Sequence, residues 1–376
     1  APGSRHGGDP GLGVRQAPRR REDGVRVSEL DAATAARPRV VITFAERLRA
    51  TYLAEADLAR LRAFADPVWL ASETEESMSP ELREALGEAV ALVVCHGAPR
   101  VDAALLEHAP LLRLVGELEG DRFERRVDVE GLQERGLTVV DTTNGSSYPV
   151  AEWALAMMMI ALRNAGSHFR RLIAGEVMRQ GRDDPGYLYG ELTGKRVGLI
   201  GCGHIGRRLL EFLRPFRVEV RVYDPYLAPE IPDVYDFLHT SLEKVFAESE
   251  VVVCLAPLTP GTRGMIGARE LAWLPSGTAF VNVSRGPIVD SQALIERLRA
   301  GDVRAALDVF DPEPVPADSE IRRLPNVFLS PHIAGVTAAS RPRFFALMVD
   351  ELDRYVHGHR PRFAFTDRTL ANRRGL

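Results

Sequence analysis

The sequence predicts an α/β protein with two doubly wound parallel sheets. Three observations carry that prediction: short apolar β-rich runs recur along the chain, helical spacing fills the intervals between them, and the strand signals come in two series. A long helix and a polar, Gly-rich connection separate the series. At roughly 150 residues per domain, 376 residues correspond to two domains and a tail. With 45% hydrophobic and 27% charged residues, the chain has the composition of a soluble globular protein.

Residues 1–37 carry seven Arg, six Gly and three Pro with little apolar clustering, and read as a disordered tail. From Arg39 the pattern becomes VVITF, a strand, followed by helical spacing to Phe64. Further strands are expected at ALVVCHG, LRLVG and LTVVD, each reached through Glu/Leu/Ala-rich helical sequence. After the turn TTNGSSYP, Pro149 suits a first helical position, and VAEWALAMMMIALR continues without a breaker. The second series begins at KRVGLIG and runs through VEVRVYD, VVVCLA, TAFVNVS, VRAALDVF and NVFLSPH, before a last helical stretch, Arg341 to His357.

Composition excludes several classes of function. The 48 basic and 52 acidic residues leave a net charge of −4, so no broad basic field exists for nucleic acid. The longest apolar stretch, Trp153 to Leu162, is ten residues, half of the roughly 20 that a membrane span needs. The start, APGSRHGGDPGLG, lacks the apolar core of a secretory signal, although the chain begins at Ala1 without Met. Cys95, Cys202 and Cys254 make no paired framework and suit a reducing cytosol, so a cytoplasmic location is the default expectation. No His/Cys/Asp/Glu cluster has metal-ligand spacing, and no metal is expected.

Gly201-Cys202-Gly203-His204-Ile205-Gly206 follows the strand RVGLIG and opens the helical run RRLLEFLRPF. In such a Rossmann-like loop the first Gly permits the turn, the second lets backbone approach a pyrophosphate, and the third allows helix to pack on strand. Asp224, eighteen residues beyond Gly206 at the end of VEVRVYD, is placed to bond ribose hydroxyls and to repel a 2′-phosphate, which favours NAD. Arg207, next after the loop, is a candidate partner of the pyrophosphate.

Three further segments lie at predicted strand ends: VSRG at 283–286, DVFDPEP at 308–314 and PHIAG at 331–335. Each offers a group that reduction of a keto acid requires. An Arg fork holds a carboxylate, a His passes a proton to the carbonyl oxygen, and a carboxylate bonded to that His favours its charged, proton-donating form.

These residues resemble the D-isomer-specific 2-hydroxyacid dehydrogenases. The resemblance spans residues 39–365 and rests on GCGHIGR, VYDPY, LAPLTPGTRGMI, VNVSRGPIVD, LDVFDPEP and LSPHIAG, all in family order. It implies a Rossmann-like NAD domain, 144–335, inserted into a flavodoxin-like substrate domain, 38–143 and 336–376, so that Arg341 to His357 returns to the first domain. It further implies Arg285 as the substrate-binding arginine, Glu313 as the carboxylate partner and His332 as the acid–base. Asp308 resembles the residue near the nicotinamide, and Pro257, Thr262, Val283, Ser284, Ala334 and Gly335 are implied cofactor contacts beside the glycine loop. Formate dehydrogenases carry an amide at the position of Glu313, which argues against formate.

Two departures from the family pattern stand out. A compact neutral loop is replaced by Gly116 to Arg126, with four acidic residues and three Arg; either Arg122 or Arg125 reaches a second anionic group on the substrate, as on a phosphonate- or phosphate-bearing acid, or the loop is a solvated insertion. At Cys254-Leu255, Leu255 stands where many relatives have a His. Ser147 and Tyr148 read as hinge, cap or substrate contact, and the Met-rich helix as either core or homodimer surface. The expected function is NAD-dependent interconversion of a 2-keto acid and a D-2-hydroxy acid, the alternative being an NADH-sensing protein of the same fold, like the C-terminal-binding-protein corepressors.

Overall fold

The computed structural model describes residues 37–119, 126–177, 190–366 and 369–371. The tail expected over 1–37 lies, apart from Arg37, outside the described residues. The first series supplies β1 (Arg39–Phe44), β2 (Asp66–Ala71), β3 (Ala89–Val94), β4 (Leu114–Glu117) and β5 (Thr138–Asp141). They form a parallel sheet in the order β2-β1-β3-β4-β5, the flavodoxin-like order. The second series supplies β6 (Arg196–Ile200), β7 (Glu219–Tyr223), β8 (Leu238–His239), β9 (Val251–Cys254), β10 (Ala279–Asn282), β11 (Arg304–Leu307) and β12 (Val327–Leu329). Their order is β12-β11-β10-β9-β6-β7-β8, again all parallel. The order reverses between β6 and β9, and ligands of doubly wound sheets bind outside the carboxyl ends at such a switch point.

Helices cover both sheets because parallel strands are apolar on both faces. Against the first sheet lie α1 (Glu46–Tyr52) and α2 (Glu55–Phe64). Between the sheets in sequence come α3 (Ser147–Leu162) and α4 (Ala165–Ile173), and α5 (His204–Leu213) opens from the glycine loop. The last helix, α6 (Arg341–Val356), sends Phe344, Phe345, Met348 and Leu352 into the core that holds Val40, Ile42 and Tyr52 of the first sheet and its helices. The chain then runs beside β5, where Asp141 N donates to Phe363 O and Phe365 N to Val139 O.

Four local features depart from the sequence expectation. β2 was not expected: it is a half-buried edge strand containing Pro67, a residue tolerated only at edges. β8 is two residues long, too short to leave a pattern. The helix α4 replaces connection, because its exposed apolar residues give no contrast with the polar segment that follows. And α3 starts at Ser147, so Pro149 occupies its third rather than its first position; the short 3-10 turn Thr143–Ser146 runs straight into it.

Candidate active site

The glycine loop is built as the spacing requires. Gly201 has φ +95°, and a Cβ there would sit 2.9 Å from Ala256 N, so neither conformation nor space admits a side chain. A Cβ on Gly206 would meet Gly201 O at 2.9 Å, while one on Gly203 would meet nothing within 4 Å. Gly203 therefore lines the open side. It also begins α5 without a side-chain cap, so the first-turn N–H groups of His204, Ile205 and Gly206 are offered to an anion at the positive end of the helix.

Asp224 stands at the end of β7, its Oδ2 accepting from Cys202 N at 2.8 Å and its Oδ1 from Tyr226 N at 3.0 Å. Each oxygen keeps a second acceptor position for a ribose hydroxyl. An open glycine, uncapped helix amides and an acidic strand end fit NAD. Arg207 bonds the loop through Nε to Cys202 O at 3.3 Å, and His204 lies edge-on to Phe363 at 5.7 Å, its pKa lowered by desolvation and by the Arg207 charge. Thr262 Oγ1 donates to Pro257 O at 2.6 Å, closing the turn beyond β9, and Ser284 Oγ donates to Ala256 O. Leu255 is buried in the core, its amide bonded to Ile200 O.

The three candidate reactive groups leave the carboxyl ends of neighbouring strands. In register, Asn282, Leu307 and Leu329 are partners across β10, β11 and β12, so Arg285, Asp308 and His332 emerge within three residues of one line. His332 Nδ1 meets Glu313 Oε1 at 2.5 Å, and Glu313 Oε2 accepts from Phe310 N at 3.3 Å. His332 itself has φ +53°, a left-handed conformation rare outside glycine. Arg285 Nη1 donates to Ser284 O at 2.8 Å. Its loop is set by Asn282, which accepts from Ser284 N at 3.0 Å and donates to Arg285 O at 3.3 Å. Asp308 is fully buried, and its Oδ2 accepts from Ala334 N at 3.0 Å, while Gly335 approaches Val150 and Ser146 of the crossing segment.

Sequence reasoning missed Asn282, Ser330, Trp153 and Gly286 as supports of this site. Asn282, buried at the end of the apolar strand AFVN, is the one with a readable signal: a buried amide demands partners. Ser147 is buried at the start of α3, and Tyr148 lies beneath the Arg208 guanidinium at 3.9 Å with Arg343 at 5.5 Å. Arg122 and Arg125 lie outside the described residues.

The departure at Gly116 has a structural consequence at the end of the first sheet. Arg126, almost wholly buried, places Nη1 2.5 Å from Glu117 Oε1 and donates from Nη2 to His96 Nδ1 at 3.2 Å; His96 Nε2 meets Glu119. Burial pushes the Glu117 carboxyl up to about 7, opposed by the Arg126 charge. Cys95, His96 and Glu119 place one donor atom each within 4.8 Å, a grouping that the spacing did not predict. Arg126 on Nδ1 obliges the neutral ring to carry its proton on Nε2, and burial pushes the Cys95 thiol up to about 12.

No helix among the described residues is long and apolar enough to cross a membrane. A family model described as "D-isomer specific 2-hydroxyacid dehydrogenase, NAD binding domain" matches residues 155–334. The chain is 31% identical over 280 residues to D-3-phosphoglycerate dehydrogenase of Methanocaldococcus jannaschii, covering 74% of this chain and 52% of that one. It thus spans about half the length of that relative. It is 34% identical over 281 residues to glyoxylate/hydroxypyruvate reductase B of Yersinia pestis, covering 73% and 82%. The fold is similar to that of a phosphoglycerate oxidoreductase from Rhizobium etli, with a TM-score of 0.73, 25% identity and coverage of 88% and 98%. The chain belongs to the D-isomer specific 2-hydroxyacid dehydrogenase family and carries that family's NAD-binding domain.

Proposed function

We propose that this chain interconverts a 2-keto acid and its D-2-hydroxy acid with NAD, in a cleft between a substrate domain, residues 38–143 and 336–376, and a cofactor domain, residues 144–335. The observation that carries the reading is the His332–Glu313 contact of 2.5 Å on the strand ends that also bear Arg285. A carboxylate oxygen only accepts, so Glu313 accepts the hydrogen bond from the Nδ1–H of His332, which keeps that proton, and Nε2 is left to face the substrate oxygen. In the reducing direction His332 delivers its Nε2 proton to the carbonyl oxygen; in the oxidising direction it receives the hydroxyl proton. Arg285 holds the carboxylate through two N–H groups and polarises the adjacent carbonyl. Bound NAD supplies hydride exchange at the substrate carbon. Gly203 and the α5 amides would hold its pyrophosphate, and Asp224 its ribose, in preference to a 2′-phosphate.

A homodimer is part of the proposal: α3 buries one face against the second sheet, and Phe169, Leu172 and Ile173 of α4 stay exposed as an apolar edge. Three buried free thiols suit a reducing, cytoplasmic setting.

The test is NADH oxidation against glyoxylate, hydroxypyruvate, pyruvate, phenylpyruvate and phosphonopyruvate. Turnover of at least one is expected, and His332→Ala should lower kcat/KM by roughly 10² to 10⁴ with NADH affinity unchanged. Loss of NADH binding together with turnover would assign His332 a structural role instead.

A further inference from the structure

We infer that Trp153 and Ser330 are positioning residues: a hydrogen-bonded relay of fixed polarity that runs from α3 to Asp308 and holds the His332 loop in its working geometry. The inference rests on the acid–base role proposed for His332.

Asp308 is the first residue beyond β11 and is fully buried, so its carboxyl oxygens need donors there, and donors surround them. Oδ1 accepts from Ser330 Oγ at 2.5 Å and from Ile333 N at 3.1 Å; Oδ2 accepts from Ala334 N at 3.0 Å; the main-chain oxygen accepts from His332 N at 2.9 Å. One residue thus fastens positions 330, 332, 333 and 334. That fastening is needed, since His332 sits at φ +53° and a strained residue keeps its place only when its surroundings over-determine it.

The relay begins one layer further out. Trp153 Nε1 donates to Ser330 Oγ at 3.2 Å, and the indole ring lies 6.5 Å from Phe328 of β12, which fixes its position. An indole N–H can only donate and a carboxylate can only accept, so the hydroxyl between them has one orientation open to it: it accepts from Trp153 and donates to Asp308. Without the indole proton, the hydroxyl is free to turn. Without the hydroxyl, Oδ1 loses its shortest bond and the carboxylate tilts, taking the Ile333 and Ala334 amides and the His332 ring with it. The relay acts on the placement of His332, which affects turnover more than cofactor or substrate affinity.

The test compares Ser330→Ala, Trp153→Phe and the double variant with the wild type, after thermal midpoints show each to be folded. Kinetics on the best keto acid and hydrogen exchange at the backbone amides of Ile333 and Ala334 are both read. Expected are a roughly tenfold fall in kcat for Ser330→Ala, roughly threefold for Trp153→Phe, and KM changes under about twofold. The double variant should match Ser330→Ala, because the indole acts only through the hydroxyl. Both single variants should exchange faster at the two amides. Multiplying effects, near thirtyfold in the double variant, or unchanged exchange would overturn the relay. If the wild type turns over none of the keto acids, the proposed function fails, while the exchange rates still decide whether the relay holds the loop.

Discussion

Arg285 and His332 differ in how their chemistry constrains replacement. A guanidinium offers a planar fork that meets both oxygens of a carboxylate, whereas an ammonium is a point donor on a flexible stem. Arg285→Lys keeps the charge and loses the fork. We expect KM for the keto acid to rise by about 10- to 100-fold, with NADH affinity unchanged, in steady-state kinetics and a cofactor titration. A KM within twofold of the wild type would remove Arg285 from carboxylate binding. These candidate residues were legible because each stands in a short motif at a strand end. Their supports were not: Ser330 and Trp153 are 177 positions apart in sequence, and only the fold brings the indole to the hydroxyl. Likewise, nothing in the pattern tells that both oxygens of Asp224 already accept backbone N–H groups.

At the scale of elements, the loops after the strands must approach one another closely, and glycine decides where they can. A Cβ on Gly286 would lie 1.7 Å from Phe310 O and 1.9 Å from its carbonyl carbon, which are backbone atoms that no rotamer change removes. Gly286→Ala therefore separates the loop of Arg285 from the loop that carries Glu313. A loss of roughly 3 kcal/mol or more is expected, read as a clear fall in the thermal midpoint. Gly203→Ala is the contrast, since open space surrounds that Cβ. It should leave the midpoint unchanged and weaken NADH binding about tenfold, because the methyl group occupies the approach of the pyrophosphate. Equal midpoints for the two variants would contradict this account. The central strands were readable as continuous apolar runs, being buried on both faces. Edge elements were not, since β2 is half exposed and β8 too short for any periodicity.

For the whole molecule, the burial of Glu117 at the end of the first sheet adds a contribution to stability whose pH dependence runs in an unusual direction. Most carboxyl groups that gain a partner on folding have lowered pKa values and stabilise as pH rises. Glu117 is the reverse. Burial, with Asp141 adding to it, raises its carboxyl from an ordinary 4.5 to about 7 despite the opposing Arg126 charge. Between those values the folded chain keeps a proton that the unfolded chain has released, so this contribution favours folding below about pH 4.5 and is lost as pH rises through about 7. Glu117→Gln fixes the neutral form and abolishes that loss. Thermal midpoints of variant and wild type, measured at pH 5 and pH 8, should show the variant gaining on the wild type as pH rises. Asp141 adds to the rise at Glu117 and the Glu117 charge adds to the rise at Cys95, so the difference reports the Glu117 charge together with its coupling to those neighbours. A difference that is flat across pH, or that turns against the variant at pH 8, would mean that Arg126 keeps Glu117 ionised and that the buried pair is charged throughout.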